Sequence, residues 1–289
     1  MAICRYGLGV RGWEWRRRRP VVVLLVIVVA LGAGGYVVWS YVRPYLHGSN
    51  CEVAAVERTV PLDLEQAANA ATIAGVAFRK SLPERAVVIA YATAIQESHI
   101  RNLPGGDRDS VGIFQQRPSQ GWGRVDQLRD PVYATSKFFD SLVKVKDYLD
   151  RDLHDAAQQV QRSADGRAYA PHEDRAKQLA EAYTGRRPAA VRCWFSPSKR
   201  TEPRREEAVR ALHQTFGTSR LPVTRDGDRH TVKVPTRRTG WAVASWAVSH
   251  AQGYGLSEVR YAGYRWKSEA GHDGWTEDGH APADHVAIR

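Results

Sequence analysis

Cysteine is scarce in this 289-residue sequence, which contains only Cys4, Cys51 and Cys193. No Cys-x-x-Cys pair and no Cys/His cluster has zinc spacing, so the sequence offers no ready-made structural metal site. There is no internal repeat and no low-complexity run, which argues against a solenoid or a biased, unstructured chain. Charge is missing from a long stretch near the N-terminus. Residues 21–42 hold none, against 25% charged residues over the whole chain. Past that stretch the basic residues are scattered rather than clustered, which argues against a nucleic-acid surface.

The uncharged stretch is long enough to cross a bilayer core of ~30 Å. Arg16, Arg17, Arg18 and Arg19 stand just before it. The positive-inside rule then predicts a cytosolic tail over 1–19, a single-pass transmembrane helix over 20–42 and everything beyond it outside the cytosol. A cleaved signal peptide is the rival reading, with Gly32-Ala33-Gly34 as a poor cleavage site. Cys51 is not a lipobox cysteine, since Asn50 precedes it. The net charge is +11, and six Arg and one Glu fall in the first 20 residues, so about half of the charge belongs to the orientation signal. The remainder reads as a solvated basic surface or as attraction to anionic polymers and lipid head groups. Topology also sorts the cysteines. Cys4 would stay reduced, while Cys51 and Cys193 lie where disulfides persist. They are either bonded across a loop of over a hundred residues or are two buried thiols.

Residues 43–50, with Pro44 and Gly48, read as a stalk. From 51 to 195 the pattern is helical. Leu64, Ala67, Ala68, Ala71, Ala74, Gly75 and Phe78 form a small-residue face at i, i+3/i+4 spacing. Ser81-Leu82-Pro83-Glu84 reads as a capping box before a helix that ends near Glu97-Ser98. Residues 101–123 are rich in Gly, Pro, Asp and Ser and read as loops with a small hairpin. Asp130-Pro131 restarts a helix, and two more follow near 152–163 and 172–184, with Gly185 as a stop. Residues 196–225 read as a linker with one helix. Residues 226–289 read as a small α+β module, in which a strand at His230–Val234 precedes a helix through Trp241. A hairpin around Gly263 and a closing strand at His285–Ile288 complete it. The expected fold class is therefore mainly α: a helical domain after one transmembrane helix, with a small C-terminal α+β module.

Glu97 stands at the end of the apolar helix Val87–Ile95. Burial and the negative end of a helix dipole both disfavour a carboxylate, which suits a group that must deliver a proton. The bland alternative is a surface Glu in a salt bridge. Further on, Asp109-Ser110-Val111-Gly112-Ile113-Phe114-Gln115-Gln116 could fold back over that helix end. Gln115 and Gln116 can donate to and accept from hydroxyl and amide groups, or simply close a turn. Trp122, between Gly121 and Gly123, could lie exposed and stack on a sugar ring, or sit in the core.

Glu97-Ser98 followed by Gly112-Ile113-Phe114-Gln115 resembles soluble lytic transglycosylases and goose-type lysozymes. Asp107 to Gly123, with its Gln120-Gly121-Trp122-Gly123 close, is similar to a lysozyme-like domain common in wall proteins of GC-rich Gram-positive bacteria. The resemblance covers 51–195. It implies a lysozyme-like fold, with Glu97 as catalytic acid and Ser98, Gly112, Gln115, Gln116 and Trp122 along the substrate. Ala182-Tyr183-Thr184-Gly185 looks like the third family motif, which places Tyr183 there too, although Thr184 replaces the usual Asn and the spacer is missing. The implied function is a membrane-anchored extracytoplasmic enzyme that cleaves the β-1,4 glycan strand of peptidoglycan with no cofactor. Asp107 and Asp109 are candidate second carboxylates, with turn capping as their ordinary role. With two carboxylates a hydrolase follows. With one, Glu97 acts as acid and then as base on the muramic acid 6-hydroxyl, leaving a 1,6-anhydro sugar. The alternative is a non-catalytic wall-binding or scaffold protein that keeps the cleft.

The tail faintly resembles modules related to zinc D-Ala-D-Ala peptidases. His272, His280, Asp284 and His285 invite a metal reading, but Ala287 stands where the second His of an Asp-His-Val-His ending would be. No metal is expected. The expected partners are peptidoglycan strands and the cytoplasmic membrane.

Overall fold

The structure is a computed structural model that describes residues 26, 28–29, 31–36, 38–39, 48–55, 59–162 and 166–289. Met1–Leu46 and His47–Arg289 are two separate compact units. In the first, the described residues are helical. No helix among the described residues is long and apolar enough to cross a membrane. The segments expected as cytosolic tail and membrane span lie mostly outside those residues.

The second unit corrects the expected fold class. It is mixed α+β rather than mainly α, with two antiparallel sheets. β1 (Asn50–Ala54) and β2 (Thr59–Leu62) form a hairpin, and β3 (Val191–Trp194) pairs with β1 to give the order β2-β1-β3. Cys51 faces Cys193 in that register, and the two form a disulfide. These strands have four or five residues each. Such short runs carry little periodicity to set against the helices between them.

The helices are α1 (Leu64–Arg79), α2 (Glu84–Ser98), the single turn α3 (Val125–Leu128), α4 (Pro131–Leu142), α5 (Leu153–Gln161) and α6 (Glu173–Tyr183). The capping box lies at α1, where Asp63 accepts from the Gln66 N–H and Gln66 accepts from the Asp63 N–H. At α2 the expected box is absent. Ser81 adopts a left-handed conformation at φ 56°, and Pro83 takes the cap position without a side-chain bond. Asp130 caps α4 ahead of Pro131, as its sequence implies. α1 buries Ala67, Ala70, Ala71, Ala74 and Ala77. Small side chains there let α4, α7 and α8 approach its axis closely. α2 is buried without a break from Ala86 to Ile95, the pattern of a helix enclosed on all sides.

The segment expected as linker holds α7 (Arg205–Phe216) and β4 (Val223–Asp226). β5 (Arg229–Lys233), α8 (Arg237–Ser249), the short α9 (Ala251–Tyr254), β6 (Glu258–Tyr261), β7 (Tyr264–Lys267), β8 (Thr276–Glu277) and β9 (His285–Ile288) complete the chain. The six strands pair in the order β4-β5-β9-β6-β7-β8. Val232, Val259, Trp266 and Val286 are fully buried, as is Val243 on α8. Two indoles reach from this sheet region to the first one. Trp266 Nε1 donates to the Cys193 carbonyl at 3.1 Å and Trp275 Nε1 to the Val191 carbonyl at 2.8 Å. They cover outward carbonyls of the edge strand β3, which would otherwise invite pairing with another chain.

Candidate active site

Glu97 owes its position to an unusual helix end. His99 and Ile100 both lie in the left-handed region, at φ 54° and 64°, and for a β-branched residue this is a true outlier. Three bonds hold the strained turn. Ile100 N–H donates back to the Ala94 carbonyl at 2.9 Å, which satisfies a terminal carbonyl of α2. Gln66 and Asn69 of α1 donate to the His99 and Ile100 carbonyls, each at 2.8 Å. The chain therefore turns sharply, and Glu97 is left half-exposed on the last turn of α2.

The Gly112 segment does fold back over this end. Isolated bridges join Leu103 to Gly112 and Val111 to Gln116, which makes the small hairpin. Ser98 fastens it to the helix. The residue is 4% exposed, and its hydroxyl donates to the Ile113 carbonyl at 2.6 Å. Ser98 is thus a staple beneath the site and does not line it. Gly112 has φ +80°, and a Cβ there would collide with the Leu128 carbonyl, so this position requires glycine. Phe114 stacks on Phe138 with ring centres 4.5 Å apart, which fixes the hairpin tip to α4.

Between hairpin and helix lies an open cleft of about 390 Å³, lined by Glu97, Asp107, Ser110, Gln115, Gln116, Arg117, Gln120, Trp122, Gln161 and Arg162. Five of the residues singled out in the sequence therefore share one hollow: Glu97, Asp107, Gln115, Gln116 and Trp122. Gln115 is braced, since it accepts from the Ser110 hydroxyl at 2.9 Å and donates to the Gly112 carbonyl at 3.1 Å. Gln116 donates to the Ala134 carbonyl at 3.2 Å. Its Oε1 is buried without a protein partner.

The two aspartates differ. Asp109 is turned into the loop, where it accepts from Arg117 at 2.8 Å and from the Ser119 N–H and hydroxyl at 2.7 and 3.0 Å. The Arg117 guanidinium, then the Ser119 groups, hold its carboxyl well below the usual carboxylate range. Asp107 stays on the cleft rim with its side chain 92% exposed. Arg117 is committed to Asp109. Arg162 lines the cleft from the left-handed end of α5, at φ 54°.

No protein-family model matches this chain, and no curated protein matches it either.

Tyr183 is not in the cleft. It is 1% exposed, and its ring meets Tyr91 edge-on at 6.4 Å between centres. Its hydroxyl accepts from Ser249 at 3.4 Å, and burial pushes that hydroxyl well above its ordinary range. The neighbouring Gly185 has φ +72°, and a Cβ would strike the Arg238 carbonyl, so this stretch serves the packing of α6 against α8. The tyrosine that reaches the acid is Tyr169, which lies in a 3₁₀ segment, Gly166–His172. Its hydroxyl donates to Glu97 Oε1 at 2.7 Å, and its ring is 1% exposed. Ala168-Tyr169 is one of three Ala-Tyr pairs in the sequence, with Ala90-Tyr91 and Ala182-Tyr183, and only the fold distinguishes them. Gln161 was also missed. It donates to the Phe114 carbonyl at 2.7 Å and forms the far wall. No pattern in a nine-residue helix marks that one amide.

In the tail, His272 packs edge-on against Trp194 with centres 5.0 Å apart. Asp284 pairs with its neighbour His285 at 2.8 Å. Asp152, His154 and Asp155 lie within reach of one ion on a partly exposed surface. This is ordinary for acidic groups at a helix start.

Proposed function

We propose that the chain cleaves the β-1,4 glycan strand of peptidoglycan, with Glu97 as its catalytic acid. One observation carries this reading. A half-exposed carboxyl at a buried helix end is held by a buried tyrosine hydroxyl, on the wall of an open cleft otherwise rich in amides. That is the equipment glycosidic cleavage needs: one proton donor, hydrogen-bonding walls for hydroxyl and acetamido groups, and an aromatic ring in Trp122 for a pyranose face. The disulfide suits an extracytoplasmic location.

Asp109 is spent on Arg117 and Ser119, so Asp107 is the one other carboxylate on the cleft wall among the described residues. Its exposure leaves it poorly ordered for activating water. The single-acid route fits better. Glu97 gives its proton to the leaving glycosidic oxygen. As a carboxylate it then takes the proton of the muramic acid 6-hydroxyl, whose oxygen bonds to C1. No water is consumed, and a 1,6-anhydro end results.

Zymography and turbidity clearing test the cleavage, with loss of both expected for Glu97→Gln. Mass spectrometry of the released muropeptides tests the route, and hydrated reducing ends in every digest would sink it. Binding to peptidoglycan with no clearing by the unmodified chain would instead establish a non-catalytic wall-binding protein.

A further inference from the structure

A second hollow, of about 590 Å³, lies between the start of α1, the start of α7 and the α8–α9 junction. It is within the ~300–1,000 Å³ range of ligand pockets. Leu64, Glu65, Arg204, Glu207, His250 and Tyr254 shape it. Its floor is aromatic: His250 and Tyr254 line it, the buried Trp246 backs them, and the Arg204 guanidinium lies 5.8 Å from the Tyr254 ring centre. Trp246, His250 and Tyr254 lie nearly parallel, with ring centres 4.2 Å apart for Trp246–His250 and 6.1 Å for His250–Tyr254.

The hydrogen-bonding character of the wall can be derived. His250 Nδ1 is 2.9 Å from the Trp246 carbonyl. A carbonyl only accepts, so Nδ1 carries the proton. Burial holds the imidazole neutral by pushing its pKa down to about 4, which leaves Nε2 as a bare acceptor. Glu65 and Glu207 add carboxylate oxygens, so the wall is rich in acceptors. Both carboxylates already have protein partners. Arg204 bonds Glu207 at 3.0 Å, while Glu65 accepts from the Asn102 N–H at 2.8 Å and lies 3.8 Å from Arg101, which it shares with Asp63. Held in this way, the two carboxylates serve as fixed acceptors. The hollow suits a neutral ligand with many O–H donors and an apolar face to lay on the rings.

We propose that this hollow is a second saccharide-binding site, taking a pyranose of a glycan strand apart from the cleft that holds Glu97. The choice of a glycan strand as its source rests on the proposed function. The site itself rests on the ring stack and the acceptor wall.

The test is calorimetric titration of the full chain, carrying Glu97→Gln so that nothing is turned over, with the neutral N-acetylglucosamine tetramer. Two sites per chain are expected. Tyr254→Ala should abolish one of them. Glu207→Gln, an exposed change that spares the core, should weaken the same site about tenfold, the worth of one hydrogen bond to a charged group. No binding in the parent, or binding that neither change alters, overturns the proposal. If Tyr254→Ala unfolds by circular dichroism, Glu207→Gln decides. Failure of the unmodified chain to clear peptidoglycan would refute the proposed reaction and leave the response of this site to the two changes unaffected.

Discussion

Removing one oxygen from either of two tyrosines should have opposite consequences. Tyr169→Phe deletes the hydroxyl that donates to Glu97 at 2.7 Å and leaves the buried ring in place. The bond strengthens as Glu97 gives up its proton, and a hydrogen bond to the carboxylate then formed is worth about 1.5–3 kcal/mol. The cleft is open, so water can replace part of that bond, and a net loss of about 1–2 kcal/mol follows. That is roughly a five- to thirty-fold fall in rate. The fall should lie in kcat rather than KM, because Tyr169 positions the acid and does not line the cleft. Tyr183→Phe makes the same chemical change at Ala182-Tyr183. There the hydroxyl meets Ser249 at 3.4 Å, deep in the core. Cleavage should be unchanged, at a cost of about 1 kcal/mol in stability for a weak buried hydrogen bond. The assays are initial rates of muropeptide release and urea denaturation of both variants. Loss of activity in Tyr183→Phe with none in Tyr169→Phe would refute this assignment of the positioning tyrosine.

Other consequences can be measured directly. The Cys51–Cys193 bond spans 142 residues, for which the chain-entropy model gives about 5 kcal/mol as an upper figure. Replacing both cysteines by Ala should lower the urea midpoint accordingly, and a change under about 1 kcal/mol would contradict it. His250 has a folded pKa of about 4 against an ordinary 6.5. The unfolded chain therefore binds the proton first as pH falls. Stability from this group is present above pH 6.5 and lost between there and about pH 4, by up to about 3 kcal/mol. The ring keeps some solvent contact, so that figure is a ceiling, and His250→Phe should flatten this part of the stability–pH curve. Asp109 has a depressed carboxyl, so its contribution is present above the unfolded carboxylate pKa and lost as pH falls through the folded one. Asp109→Asn should loosen residues 107–119, seen as faster hydrogen exchange there at neutral pH. Gly112→Ala should break the hairpin that covers Glu97, through its φ of +80° and the Leu128 carbonyl. Intact cleavage in that variant would count against the hairpin's role.

The helices were legible because their causes are local. Asp130-Pro131 starts α4 by capping and a fixed φ. The alternation around Gly263 yields the β6–β7 hairpin. The closing strand His285–Ile288 is also where its pattern puts it, but nothing in that pattern shows that it lies between β5 and β6 in a six-stranded sheet. The three-stranded sheet was missed for a related reason. β1 and β3 lie about 140 residues apart, and their shared register is a fact of space.

The site divides along the same line. Residue types, together with the family resemblance they carry, singled out Glu97, the Gly112–Gln116 segment and Trp122, because a proton donor and amide walls must be written in particular side chains. The sequence could not say that Ser98 faces the hairpin instead of the cleft, that Asp109 is consumed by Arg117, or that Tyr169 rather than Tyr183 reaches the acid. Those depend on which way a side chain points after the left-handed turn at His99 and Ile100 and after the 3₁₀ segment at Gly166–His172. Chemical capacity belongs to the residue, whereas its partner is decided only when distant segments pack together.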